Sequence, residues 1–423
     1  MGTSARADAG ISRGSMAVAA FSTAVEWYDF TLYLYLSTVL ARVFFGGGGT
    51  ALATTLGGFA VAYLMRPLGA AVLGHFGDRY GRRRVMLVSM ALMTVAMLAT
   101  ALLPTYAQVG PAAGWFLLLL RCVMGFSVGA EYTGVVAYLL EGAKAERRGL
   151  ATSFAAMASE AGALLAAGVS ALTVGAMGTA ELDAWGWRIP FLFGAALASG
   201  VLLARSTMQE SPDFERQRAS GTVPRNPLRD MLVHHRTAVS RGFAISALGS
   251  ITYYVGITYV PAFLTGIGAS SEAQALRLST VAALVVMLVT PLIGALSDRV
   301  GRKPVLLVLC GGAALLPATM FALMAGGSPG HALAGALVLA ALGGSVSAVG
   351  AVATAELLPG EGRLSGLALG ATAATAVFGG LAPYIAQILT ERTGSAYVPG
   401  AMIAVVALGI LPVLLAIPET RPR

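Results

Sequence analysis

GHFGDRYGRRRV (Gly74–Val85) and GALSDRVGRKPV (Gly294–Val305) are two copies of one pattern, with Asp78 and Asp298 220 residues apart. A repeat at so long an interval marks a duplicated architecture. A second pair keeps almost the same offset: Glu141 ahead of Arg147, and Glu356 ahead of Arg363. The sequence around these polar islands is apolar. Hydrophobic residues make up 57% of the 423 and charged residues 11%, with a mean hydropathy of +0.76. Soluble globular chains carry about 25% charged residues. A chain of this length cannot hide so much apolar surface in one water-soluble core, so an all-α polytopic membrane protein is expected. The 53 glycines suit closely packed membrane helices.

Apolar runs of about 20 residues, the length that crosses a bilayer, fall at 16–40, 52–74, 85–103, 114–140, 150–174, 187–204, 242–266, 278–297, 304–326, 332–356, 364–389 and 397–417. Arginine-rich and arginine-poor connections alternate between them. Of the 28 Lys and Arg, only Arg42, Arg188, Arg277 and Arg392 fall on one side, and Arg66 and Arg121 lie within spans. The other 22, from Arg6 through Arg205 to Arg423, share the opposite side. This bias predicts that both termini are cytoplasmic. It also explains the net charge of +8 by topology and anionic-lipid contact, without nucleic acid. The first apolar run is long, acidic and without a small-residue cleavage site, so no signal peptide is expected. The predicted organisation is a six-helix bundle over 1–204, a polar tether over 205–241 and a second six-helix bundle over 242–423. Six is even, so both halves enter the membrane from the same side and are related by a pseudo-two-fold axis along the membrane normal.

The G-D-R-x-G-R-R/K loop of both halves resembles the signature of the major facilitator superfamily. EWYDF (Glu26–Phe30), RPLG (Arg66–Gly69), GFSVGAEYTG (Gly125–Gly134), GWRIPF (Gly186–Phe191), ESPDF (Glu210–Phe214), SGLALG (Ser365–Gly370) and FGGLAP (Phe378–Pro383) are similar to stretches of its metabolite:proton symporter family. That family includes proline/betaine, α-ketoglutarate, citrate and shikimate permeases. Two features depart from it: the sequence stops at PETRPR without a long coiled coil, and Glu160 stands where the pattern is neutral. The resemblance implies that Gly77, Asp78, Arg79, Gly81 and Arg82, with Asp298, Arg299, Gly301 and Arg302, form a cytoplasmic gate. Gly77, Gly81 and Gly301 are expected to permit tight turns, and Asp78 and Asp298 to cap the following helix or pair with arginines.

Glu26 and Asp29 pose the sharper question, because each carboxylate in hydrocarbon costs about 2.5–3.5 kcal/mol. Spaced i, i+3, they share a helix face that Tyr33 continues. Arg121 is the expected cation for both. A carboxylate beside a buried cation can take up a proton when its surroundings change. Glu26, Asp29, Arg121 and Glu131 are therefore the expected proton-coupling residues. Trp27, Tyr28, Tyr33, Glu160, Tyr253 and Tyr254 are the expected solute contacts, with Arg121 suited to a carboxylate and the acids and rings to an ammonium. Packing is the alternative role for each ring and for Glu160.

The expected function is proton-coupled symport of a small polar organic solute, an organic acid or a zwitterion such as proline or a betaine, by alternating access. A proton antiporter exporting a metabolite or drug is the alternative. The expected partners are solute, protons and the lipid bilayer, with the monomer as the working unit. Cys122 and Cys310 lie in opposite halves, and His75, His234, His235 and His331 show no ligand spacing. No metal, cofactor or enzymatic nucleophile–base pair is expected.

Overall fold

The computed structural model describes residues 11–47, 51–267, 269, 271–326 and 328–421. Arg6 and Arg423, both counted on the basic side, lie outside them. No β-strand occurs among the described residues. Twelve long helical segments follow the predicted spans. The first, α1, is Arg13–Tyr35, continued past a break at Leu36 by Ser37–Phe45. Then come α2 (Ala51–Tyr80), α3 (Arg82–Ala101), α4 (Ala112–Gly142), α5 (Arg148–Ala176) and α6 (Arg188–Ser206). In the second half α7 joins Arg236–Thr258 to Val260–Gly266 through a 42° bend. It is followed by α8 (Glu272–Val300), α9 (Arg302–Ala325), α10 (Pro329–Leu357), α11 (Gly360–Thr393) and α12 (Val398–Ala416). Among the described residues nine helices are long and apolar enough to cross a membrane by themselves, and the bent α7 makes ten. The other two segments, α1 and α2, hold Glu26, Asp29 and Arg66.

Local signals set several helix starts. Ser12 and Ser328 accept from Ser15 N and His331 N, and Ser271 with Gln274 forms a capping box before α8. The basic loops are tighter than expected. Helix α2 runs on through GDRY to Tyr80, and α8 through SDRV to Val300, so each turn is one residue, Gly81 or Gly301, both at φ 111°. That conformation strains any side chain. Gly77 is not part of a turn: it sits inside α2, where its carbonyl accepts from Gly81 N and Arg82 Nη1.

The chain forms two compact units, one of residues up to Tyr138 with Ala158–Arg225, the other of Leu139–Met157 with Asn226 onward. Each has its own apolar core. In the first, Trp187 is fully buried between Phe44 and Phe191, at ring separations of 4.9 and 6.2 Å. In the second, Phe263 and Phe321 meet edge to face at 4.9 Å. Large apolar side chains also point outward, among them Leu172, Val308 and Leu315, each about three-quarters exposed. An apolar exterior over an apolar core is what a lipid solvent permits. The tether predicted at 205–241 is instead partly helical. Pro212–Ser220 docks on the first unit through buried Phe214, and Pro227–His234 docks on the second through buried Met231.

Glycines decide where two of the helices meet. A Cβ on Gly125 would strike the Ala62 carbonyl, and one on Gly129 or Gly69 would strike backbone of the facing helix. RPLG of α2 and the G-x-x-x-G of GFSVG in α4 therefore pack backbone to backbone, as small residues allow in membranes. We predict that Gly125→Ala forces α2 from α4 and costs about 1–3 kcal/mol. Gly175→Ala, at an exposed helix position with open space around it, should cost nothing. Reversible unfolding of both variants in detergent measures the difference.

Candidate functional site

One face of α1 carries Ser22, Glu26, Asp29 and Tyr33 at spacings of four, three and four residues. All four are buried. Three arginines from three other helices meet this face, and each has its own acid. Arg121 of α4 places Nη1 2.7 Å from Asp29 Oδ2. Its Nη2 donates to Thr100 Oγ1 at 3.3 Å, and its guanidinium lies 5.4 Å from the Tyr33 ring and 5.8 Å from that of Phe191. Arg66 of α2 sits 3.2 Å from Glu26 Oε1, over Phe30 (5.2 Å) and Tyr63 (4.9 Å). Arg205 of α6 pairs with Glu131 of α4, joined by Ser22 Oγ and by Ser89 Oγ at 2.7 Å. The expectation that Arg121 serves both α1 acids is thus corrected: Glu26 has Arg66. Arg205, counted with the basic loops, is fully buried.

Three acids against three arginines leave the set neutral, which is what a low-dielectric interior requires. Glu26, Asp29, Phe30, Tyr63, Arg66 and Arg121 line a small cavity of about 30 Å³, whose remaining walls are small or apolar residues of α2 and α4. Glu26 Oε2 and Asp29 Oδ1 are buried without a hydrogen-bond partner. Leaving a buried acceptor unpaired costs about 1–3 kcal/mol, so each acid presents one oxygen open to a hydrogen-bond donor.

The other predicted contacts are placed elsewhere. Tyr28 is fully buried and donates to Pro190 O at 2.8 Å, on the α6 side of α1. The Tyr33 hydroxyl donates to Thr55 O at 2.9 Å, leaving only its ring to the site. Trp27 packs against Phe30 with rings 5.4 Å apart. Glu160 is buried in α5 and does not line the cavity. Tyr253 and Tyr254 belong to the second unit, edge to face at 5.4 Å beside a π-helical turn of α7, where the Tyr254 ring fits against Gly379.

In the basic loops, Asp78 pairs with Arg82 (3.0 Å) and Asp298 with Arg302 (2.8 Å), one helical turn on. Asp298 also caps α5, accepting from Gly149 N and Leu150 N at 2.8 Å each. Arg302 also meets Glu356 at 3.3 Å, whereas Arg79 and Arg299 are exposed. Glu210 and Glu419, which the motif reading passed over, do the capping. Glu210 accepts from Arg83 N (3.0 Å) at the start of α3, and Glu419 accepts from Arg302 N (2.8 Å) and Lys303 N (3.0 Å) at the start of α9. The available signal was an acid soon after the last span of each half, in ESPDF and PETRPR.

The two caps differ in charge balance. Burial raises the Glu210 carboxyl above its ordinary range despite backbone donors from Arg83 and Ser211. Burial also acts to raise Glu419, but donors from Arg421, Arg302 and Lys303 and the Arg302 charge outweigh it and hold the group low. A raised carboxylate disfavours the charged folded state, and a lowered one favours it until pH falls through its folded value. On acidification Glu210 therefore protonates before Glu419. Infrared carboxyl bands assigned with Glu210→Gln and Glu419→Gln read the order, and the reverse order would contradict it.

The model of the Major Facilitator Superfamily matches residues 15–330 and 265–423. The ectoine/proline transporter of Corynebacterium glutamicum is 36% identical over 395 residues, covering 89% of this chain and 78% of the relative. The alpha-ketoglutarate permease of Escherichia coli is 35% identical (86% and 84%), and the citrate-proton symporter of Klebsiella pneumoniae 31% (89% and 85%). Among solved structures, the proton:xylose symporter XylE bound to 6-bromo-6-deoxy-D-glucose superposes with a TM-score of 0.80 over 96% of both chains, at 21% identity, a likeness of fold. With a duplicated twelve-helix chain, an acid–arginine site inside its first half and these matches, the protein belongs to the major facilitator superfamily.

Proposed function

We propose that this multi-pass protein of the cell membrane is a proton-coupled symporter that imports a small polar organic solute by alternating access. Both termini lie in the cytoplasm, and the monomer is the working unit. One observation carries the reading: Asp29 and Arg121 form a close ion pair at a cavity where each α1 acid keeps one unpaired oxygen. The named substrates of the relatives, ectoine and proline, alpha-ketoglutarate, and citrate with protons, are all small polar solutes. That supports symport of this class.

In this scheme Asp29 is the proton carrier. Deprotonated, it is held by Arg121. When the cavity opens to the outside and a solute disturbs the pair, Asp29 takes a proton, and the Arg121 charge so released is balanced by a solute carboxylate before the site turns inward. Each charge moved through 100 mV is worth about 2.3 kcal/mol, enough to drive accumulation. Glu131, sealed with Arg205, Ser22 and Ser89, holds α1, α3, α4 and α6 in register. The Asp78–Arg82 and Asp298–Arg302 pairs serve the cytoplasmic gate.

Asp29→Asn should abolish pH-driven accumulation in proteoliposomes yet keep solute exchange at equal concentrations on both sides. Equal loss of both would make Asp29 a purely structural residue. Adding a transported solute to wild-type vesicles should make the weakly buffered external medium more alkaline, as a symporter carries protons inward. External acidification would mark an antiporter.

A further inference from the structure

Beyond α6 the chain doubles back as a strap, Met208–Phe214, that ties α1, α3 and α4 of the first unit together beside the α2–α3 turn. Gln209 holds α1: Ser12 N donates to its Oε1 at 3.3 Å, and its own N–H donates to Ser15 Oγ at 3.4 Å. Its carbonyl accepts from the Tyr138 hydroxyl of α4 at 2.7 Å. Glu210 Oε1 accepts from Arg83 N at the start of α3 at 3.0 Å and from Ser211 N at 2.9 Å. Its Oε2 lies where a Cβ on Gly81 would stand, so the turn admits the carboxylate only because that residue is glycine. Phe214 closes the strap, its ring 5.9 Å from the Arg82 guanidinium.

Backbone N–H groups, rather than an ion pair, hold this carboxylate. Of the charged groups around it, Arg82 is paired with Asp78 at 3.0 Å and Arg83 donates from its guanidinium to Ser206 O. Further along the strap Asp213 is paired with Arg216, and from α4 Tyr138 faces the carboxylate with a hydroxyl. Glu210 is thus partly buried with no arginine of its own among the described residues. Burial outweighs the backbone donors and the Arg82 charge, and strengthens its hold on a proton. A carboxyl that binds its proton more tightly when seated than when released is seated more firmly as pH falls. We propose that Glu210 is the pin of a proton-sensitive clasp: protonated from the cytoplasm, it locks the strap against α1, α3 and α4. The protonated carboxyl keeps Oε1 as an acceptor for both N–H groups and sheds the buried charge. Helix α1 carries Asp29 and α4 carries Arg121, so a locked clasp resists the shift of one helix past the other that parts the pair. Acid on the cytoplasmic side thereby brakes a carrier whose own cargo includes protons. The inference rests on the proposed function, in which the basic ends face the cytoplasm and Asp29 leaves Arg121 during transport.

The test is amide hydrogen exchange on the full chain in lipid nanodiscs, without solute, with the intrinsic pH dependence of exchange divided out. In the wild-type protein the Arg83 and Ser211 N–H groups should gain about twofold to tenfold in protection as pH falls from neutral, the range that one net hydrogen bond supplies. Glu210→Gln, whose amide oxygen accepts as the protonated acid does, should hold the higher protection at every pH. Protection that stays flat or falls with acid in the wild type overturns the proposal, as does a Glu210→Gln variant that keeps the wild-type slope. Should Glu210→Gln fail to fold, the other cap decides: the Arg302 and Lys303 N–H groups, held by Glu419, must show no such gain, and a common slope at both caps overturns the assignment. Exchange of labelled proline or labelled α-ketoglutarate between equal pools in proteoliposomes reads the brake. Wild type should outrun Glu210→Gln by about twofold to tenfold at neutral pH and converge with it in acid, the ratio cancelling the effect of pH on Asp29. A ratio that does not change with pH removes the brake. Amide exchange needs neither solute nor proton movement, so a failure of symport is seen separately, as uptake that leaves the external medium unchanged in pH.

Discussion

Charge neutrality along one face of α1 is the constraint on which the first half depends. Glu26 and Asp29 would be costly in an isolated membrane helix. They are tolerated because α2, α4 and α6 each deliver one arginine, and α4 adds the third acid, Glu131. Removing one partner of a buried pair costs about 3–5 kcal/mol, since a bare charge stays behind. The pairs thus fix the rotation of α1 about its axis and the depth of three neighbours at once. They also differ from one another. Glu131–Arg205 is closed off on every side, whereas Asp29–Arg121 and Glu26–Arg66 border a cavity with carboxylate oxygens to spare. A sealed pair suits a structural rivet, and an open pair suits a group that must change state.

The arginines arrive correctly because of residues with no chemistry. Gly69 on α2 and Gly125 and Gly129 on α4 bring two backbones into contact. Arg66 lies three residues from Gly69, and Arg121 four from Gly125. The small-residue seam therefore sets the direction of each guanidinium, and a side chain in the seam would misplace both. Repetition governs the opposite end of the helices. Each half turns on one glycine at φ 111°, ties an aspartate to an arginine one turn later, and closes the next helix with a glutamate from beyond its last span.

Much of the fold was legible in the sequence, because spanning length and the duplicated loop are one-dimensional signals. All twelve predicted spans fall on helices, and the acids of EWYDF stand out as costly by their place inside an apolar run. Pairing was not legible. Glu26 with Arg66 and Glu131 with Arg205 are contacts through space, fixed by helix rotation and glycine packing that no spacing rule encodes. Arg205 read as a loop residue because it closes α6, yet its side chain turns inward to Glu131. Tyr28 shares a segment with the acids, but successive helical residues point about 100° apart, so its ring faces α6 and leaves the site. The π-helical turns of α7 and α11 have no periodic signature, and the linker helices are too short and polar to show one.

The central claim is that Asp29 exchanges a proton as it parts from Arg121. Its most direct test is the electrical transient that follows a sudden pH step on solid-supported membranes carrying the purified protein without solute. The account predicts a rapid charge displacement in the wild-type protein that vanishes in Asp29→Asn and persists in Tyr28→Phe. An unchanged transient in Asp29→Asn would contradict it.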